Sequence, residues 1–156
     1  MKRNRILILI LLGTALAAVG FVIHFFVQEN RQWELSRAAG DGDLDTVKRC
    51  VEAGVNLDAT PIREGGALSG YPALTCAAMF GREEVVRYLL DHGANPNLRG
   101  MSNPLIVACW RKHFGVAKLL LERGADPNAR GEGTPLVAAR SQPELSALLR
   151  QHGARD

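Results

Sequence analysis

Four histidines and three cysteines are the side chains of this sequence best suited to chemistry. His92 and His152 each stand just before a glycine that closes a helical pattern. An imidazole there interacts favourably with the helix dipole, so both read as structural residues rather than metal ligands. The sequence contains no His-x-x-x-His pair, no Cys-x-x-Cys and no Gly-x-Ser-x-Gly elbow. The run Glu64 to Gly70 is rich in glycine but lacks the Gly-Lys-Ser/Thr that a phosphate loop needs. Glu83, Glu84 and the series Asp41, Asp43, Asp45 are placed at helix starts, where carboxylates cap the chain and oppose the dipole. These patterns predict no catalytic centre, no metal and no cofactor.

The elements behind those residues repeat. Leu35, Ala38 and Gly54 form a frame that recurs as Leu74, Ala77, Gly93, as Leu105, Ala108, Gly124, and as Leu136, Ala139, Gly153. Leucine-to-glycine spacing is constant in three copies (54 − 35 = 93 − 74 = 124 − 105 = 19) and shorter in the last (153 − 136 = 17). In the third copy, Pro104 suits a first helical turn, and Leu105, Ala108 and Cys109 share one helix face. A second helix is predicted from about Gly115 to Glu122, with Gly124 just past its end and Asp126-Pro127-Asn128 leading out as a turn. Neither helix can bury its apolar face alone, so the copies must stack.

Thr134-Pro135-Leu136 with Ala138-Ala139, the run Val85-Val86 with Leu89-Leu90, and Gly93-Ala94-Asn95-Pro96-Asn97 resemble the ankyrin repeat. Gly124-Ala125-Asp126-Pro127-Asn128 repeats that ending. The resemblance covers Trp33 to Asp156 and implies an all-α solenoid of about four helix-turn-helix repeats, at 33–57, 71–98, 102–129 and 133–156. The first copy lacks the Thr-Pro pair and reads as an N-terminal cap, with Arg37 towards solvent and Trp33 closing the apolar end. The second carries Pro72-Ala73-Leu74, so its helix is expected to start differently. The third has Lys112 where the second has Gly81, and the shortened last copy reads as a C-terminal cap. An inserted loop, 58–70, lengthens the first connection, and long loops in compact domains are often functional.

Cys76 and Cys109 fall on first helices of adjacent repeats, too far apart for easy disulfide geometry, so three reduced thiols are expected with Cys50. Charge points the same way as the motifs. Lys2, Arg3 and Arg5 account for the whole basic excess of +3, leaving residues 28–156 neutral. A neutral domain lacks the basic stripe of a nucleic-acid binder, and Arg111-Lys112-His113 is too short to supply one.

Residues 1–27 are set apart from the repeat domain, 28–156. Ile6 to Val27 contains no Asp, Glu, Lys or Arg. At ~1.5 Å per residue it reaches ~33 Å, enough to cross a ~30 Å hydrocarbon core. The basic residues ahead of it favour a cytoplasmic N-terminus and, in a bacterium, a periplasmic repeat domain. A signal peptide cleaved near Ala17, releasing a soluble exported protein, is the competing reading.

The resemblance implies recognition of another protein without catalysis. Small proteins resembling this one include periplasmic accessory factors and immunity proteins. Residues five and six places after the repeat leucine usually face the concave groove of such stacks. Here they are Met79 and Phe80, then Trp110 and Arg111, a set with hot-spot chemistry. Tyr71 and Met101, with Ser102, are expected to extend the patch near the finger tips. Internal packing under loop 58–70 is the alternative for Met79 and Phe80. An envelope enzyme or small-ligand protein would instead need a pocket between that loop and the groove.

Overall fold

A computed structural model describes residues 18–20, 27, 30–61, 70–99 and 103–155. Among the described residues from 30 onwards eight helices follow one another: α1 (30–41), α2 (Leu44–Glu52), α3 (Ala73–Met79), α4 (Glu83–Asp91), α5 (Pro104–Trp110), α6 (Phe114–Glu122), α7 (Pro135–Ala138) and α8 (Pro143–Gln151). Among the described residues there is no strand, only one isolated bridge between Gly131 and Gly133. The segment Ile6 to Val27 lies outside the described residues apart from 18–20 and 27, which are helical. Among the described residues no helix is long and apolar enough to cross a membrane.

The helices form two layers. α3 packs on α5 and α5 on α7 in one layer; α2 packs on α4, α4 on α6 and α6 on α8 in the other. The repeat leucines and alanines are the seam between layers: Leu35, Leu74, Leu105, Ala38, Ala77, Ala108 and Ala139 are almost wholly buried. Alanine at these positions lets the inner helices approach closely, and the larger Val47, Leu89, Leu120 and Leu149 of the outer layer fill the space behind them.

Helix starts follow local chemistry. Asn103 caps α5 by accepting from the Ile106 amide at 3.0 Å, and Thr134 caps α7 through the Val137 amide, each with proline in the first turn. In the second repeat the proline is displaced to the cap itself, so α3 starts at Ala73 with no side-chain cap. Asp43 caps α2. Asp41 instead ends α1, pairing with Arg37 at 3.2 Å, so the acidic series does not lie wholly at helix starts.

Hydrogen bonds from the Thr46 hydroxyl and amide hold the Asp43 carboxyl below its ordinary range. The cap therefore contributes fully above the ordinary carboxylate value of 3.8 and is lost as pH falls through the depressed folded value. Asp43→Asn keeps the acceptor but cannot titrate. Its urea midpoint is expected to fall less than that of the wild type between about pH 4 and pH 2; equal falls would contradict the cap's role.

Helix ends share one device. The amides of Ala94 and Gly93 donate to the Leu89 and Leu90 carbonyls, closing α4 in a Schellman turn. Gly54, Gly124 and Gly153 close α2, α6 and α8 in the same way. The inner helix α3 ends likewise at Gly81 (φ 68°), with the Arg82 amide donating to Ala77. α5 repeats this pattern with Lys112 in the glycine place, at φ 63°. Among the described residues Lys112 is the only non-glycine with positive φ, a conformation that costs an L-residue roughly 1–2 kcal/mol.

Two series of side chains tie successive repeats together. The Arg82 Nε, His113 Nε2 and Gln142 Nε2 groups donate to the carbonyls of Gly40, Met79 and Cys109 in the preceding repeat, at 2.9, 3.1 and 2.9 Å. The His113 bond fixes its tautomer, since a carbonyl only accepts. On the finger side, Asn97 donates to the Gly124 carbonyl and accepts from the Asp126 amide, and Asn128 does the same with Gly153 and Arg155. Asp58 accepts from the Asn95 amide at 2.9 Å and so stands at the rung held by Asn97 and Asn128. The inserted loop therefore starts after Asp58. Pro61 and Gly70 are joined by a 3.3 Å backbone bond; residues 62–69 between them lie outside the described part.

Candidate functional site: the inner-helix ends

α3 and α5 lie side by side and end in matching turns. Met79 is the last residue of α3 and Phe80 its cap; Trp110 is the last residue of α5 and Arg111 its cap. The bond from His113 to the Met79 carbonyl holds one turn against the other. The next turn follows through Gln142, which reaches the end of α5.

Exposure separates the members of this row. Phe80 is 46% exposed and Trp110 51%, whereas Met79 is half-buried and Arg111 faces solvent. The two rings are therefore surface groups rather than core. Tyr71 is half-buried against the core just before α3. A seven-residue helix at 1.5 Å per residue separates it from Phe80 by ~10 Å, so the structure does not gather Tyr71 into one cluster with the turn residues. Met101 and Ser102 lie outside the described residues.

Phe114 belongs to the same edge and is not evident from the repeat frame. It opens α6 and is 42% exposed, at the place taken by Glu83 in α4 and Pro143 in α8. An apolar residue at the polar start of an amphipathic helix is the signal that marks it. Lys112 and Phe114 line a cleft with Gln142, Pro143, Glu144 and Leu145, between the third and fourth turns. Other clefts open between the second and third fingers, beside Asn97, Arg99, Asp126 and Arg130, and on the outer face of α7 and α8. At that face Val137 is 54% exposed, while its repeat equivalents Thr75 and Ile106 are buried by the next repeat.

His92, His113 and the three cysteines are held structurally. His92 bonds the Tyr88 carbonyl through Nδ1 at 2.8 Å and stacks on the Tyr88 ring, and His113 is a repeat tie. Cys50, Cys76 and Cys109 are free thiols, all buried. Burial pushes Cys76 and Cys109 up to about 12, far from a reactive thiolate. Among the described residues no group of three His, Cys, Asp or Glu side chains could hold a metal ion. Trp33 is half-buried, with the Arg37 guanidinium 5.6 Å from its ring centre.

Surface aromatics on a rigid helical stack are the material of a recognition surface. No curated protein matches the sequence. A family model for ankyrin repeats, in three copies, matches residues 35–131. The fourth helix pair, α7 and α8, lies beyond that match and keeps the Thr-Pro-Leu start and the Schellman end. Over the greater part of its length the sequence, like its two-layered stack, is that of the ankyrin-repeat family, to which this chain belongs.

Proposed function

We propose that this chain is a non-catalytic protein-recognition module held at a membrane, which binds a partner protein along the inner-helix ends of its second and third repeats. Ankyrin repeats are in general protein-interaction modules. The observation that carries the placement is the exposure of Phe80 and Trp110 on two turns tied to each other. Aromatic side chains in such positions supply contact area at low entropic cost. Arg111 adds a charged donor beside them.

Phe80→Ala combined with Trp110→Ala is expected to reduce capture of the partner, crosslinked in its native membrane, by at least ten-fold. The melting temperature is expected to stay within a few degrees of the wild type, because neither ring is in the core. A large fall in melting temperature with capture retained would refute the assignment.

Anchoring rests on Ile6 to Val27, whose length and lack of charge suit a single membrane span with the N-terminus in the cytoplasm. The repeats then lie on the far side, in the periplasm of a bacterium. An alkaline phosphatase fusion at the C-terminus is expected to be active and to sediment with membranes. Activity in the soluble fraction would show cleavage near Ala17 instead, and an inactive fusion would reverse the topology.

A further inference from the structure

We infer that the turn edge of the third and fourth repeats selects a partner segment that is acidic and carries an apolar anchor residue. This deepens the recognition surface proposed above and rests on it.

Charge along the turn edge changes sign from one end to the other. The first turn carries Asp41, Asp43 and Asp45, opposed by Arg37 and by the Arg82 side chain packed on Gly42; the third carries Arg111 and Lys112, and the fourth Arg140. Among the described residues, Arg111, Lys112 and Arg140 form no ion pair, whereas Asp41 is already paired with Arg37. Two carboxylates face the basic end. Glu83 lies over Gly115 at the start of α6, where the helix dipole favours it, and Glu144 lines the cleft. An acidic segment is thus favoured at the third and fourth turns over the first, which biases its direction across the stack.

Lys112 supplies the independent observation. Its backbone holds the left-handed conformation that glycine provides at Gly42 and Gly81, so the ammonium group is kept at a position where glycine would be more stable. Its side chain lines the cleft beside Phe114 and Pro143, with Trp110 exposed on the preceding helix end. Lys112 and the apolar wall of the cleft fit a carboxylate next to a leucine or aromatic side chain, the carboxylate taking the Lys112 side away from Glu144.

The test uses the full chain in detergent, panned against a random dodecapeptide library displayed on phage. Enriched sequences are expected to carry several Asp or Glu around a Leu, Phe or Trp. Their affinity is expected to fall at least ten-fold between about 50 mM and 500 mM salt. Lys112→Gly is expected to raise the melting temperature by roughly 3–8 °C while weakening the selected peptides at least five-fold. A purely structural Lys112 would give the higher melting temperature with unchanged affinity, and that result overturns the inference. Enrichment of neutral or basic sequences, failure to enrich any sequence, or self-association through the same edge would overturn it too. The broader proposal is scored separately by the crosslinked partner. Capture lost in the Phe80/Trp110 double variant but unchanged in Lys112→Gly would keep the surface and reject its preference for acidic segments.

Discussion

Replacing Leu105 by alanine is expected to lower the unfolding free energy by about 3–5 kcal/mol. Leu105 is wholly buried in α5, which packs against α3, α6 and α7 at once. Removing its branched end leaves a cavity with walls on both sides of the third repeat, and no single neighbour can move in to fill it. Single domains have about 5–15 kcal/mol in total, so the variant loses a large fraction of its stability. Urea titration followed by circular dichroism measures the loss. Trp110→Ala on the same helix is the control, because the residue is 51% exposed and should cost little. A Leu105 variant losing less than about 1 kcal/mol would mean that the stack does not bury this position.

The second large effect is expected at Gly81. Its φ of 68° already disfavours any L-residue, and a β-carbon there would stand 2.6 Å from His113 Nδ1 and 2.7 Å from Cε1. The imidazole cannot swing aside freely, because its Nε2–H is bound to the Met79 carbonyl at 3.1 Å. Gly81→Ala thus combines backbone strain with a broken tie between repeats, roughly 2–4 kcal/mol together. Gly93→Ala separates the two parts: its φ is 90° but nothing lies within 4 Å of the added carbon, so strain acts alone. A double-mutant cycle with His113→Ala isolates the clash. If Gly81→Ala costs no more than Gly93→Ala, the ring yields and the tie is weak.

These two positions show what the linear order of residues discloses. Leu105, Ala108 and Gly124 recur at fixed spacing, so the two-helix unit and its glycine end are legible in it, and α6 starts one residue before the expected Gly115. Lys112 stands out as a departure from Gly81, but its positive φ becomes visible only with the backbone. Asp58 reads as the start of an insertion because its role is a bond to Asn95, 37 residues away. Tyr71, expected near the finger tips as an extension of the patch, stands a whole helix away from Phe80. Phe114 lies outside the Leu–Ala–Gly frame, and only the apolar residue at an otherwise polar helix start marks it.

The asparagine ties have a consequence for the length of the molecule. Asn97 and Asn128 make the same pair of bonds, each to the repeat that follows, and the leucines of those repeats are 31 residues apart (105 − 74 = 136 − 105). Excising residues 98–128 would join Asn97 directly to Ala129 and offer it the Gly153 carbonyl and Arg155 amide that Asn128 now holds. At the asparagine bonds the stack is thus divisible: a whole unit can leave and the bonds at the seam are restored. Lengthening by duplication of the same segment obeys the same geometry, so the number of units is free to vary while the join between them stays constant.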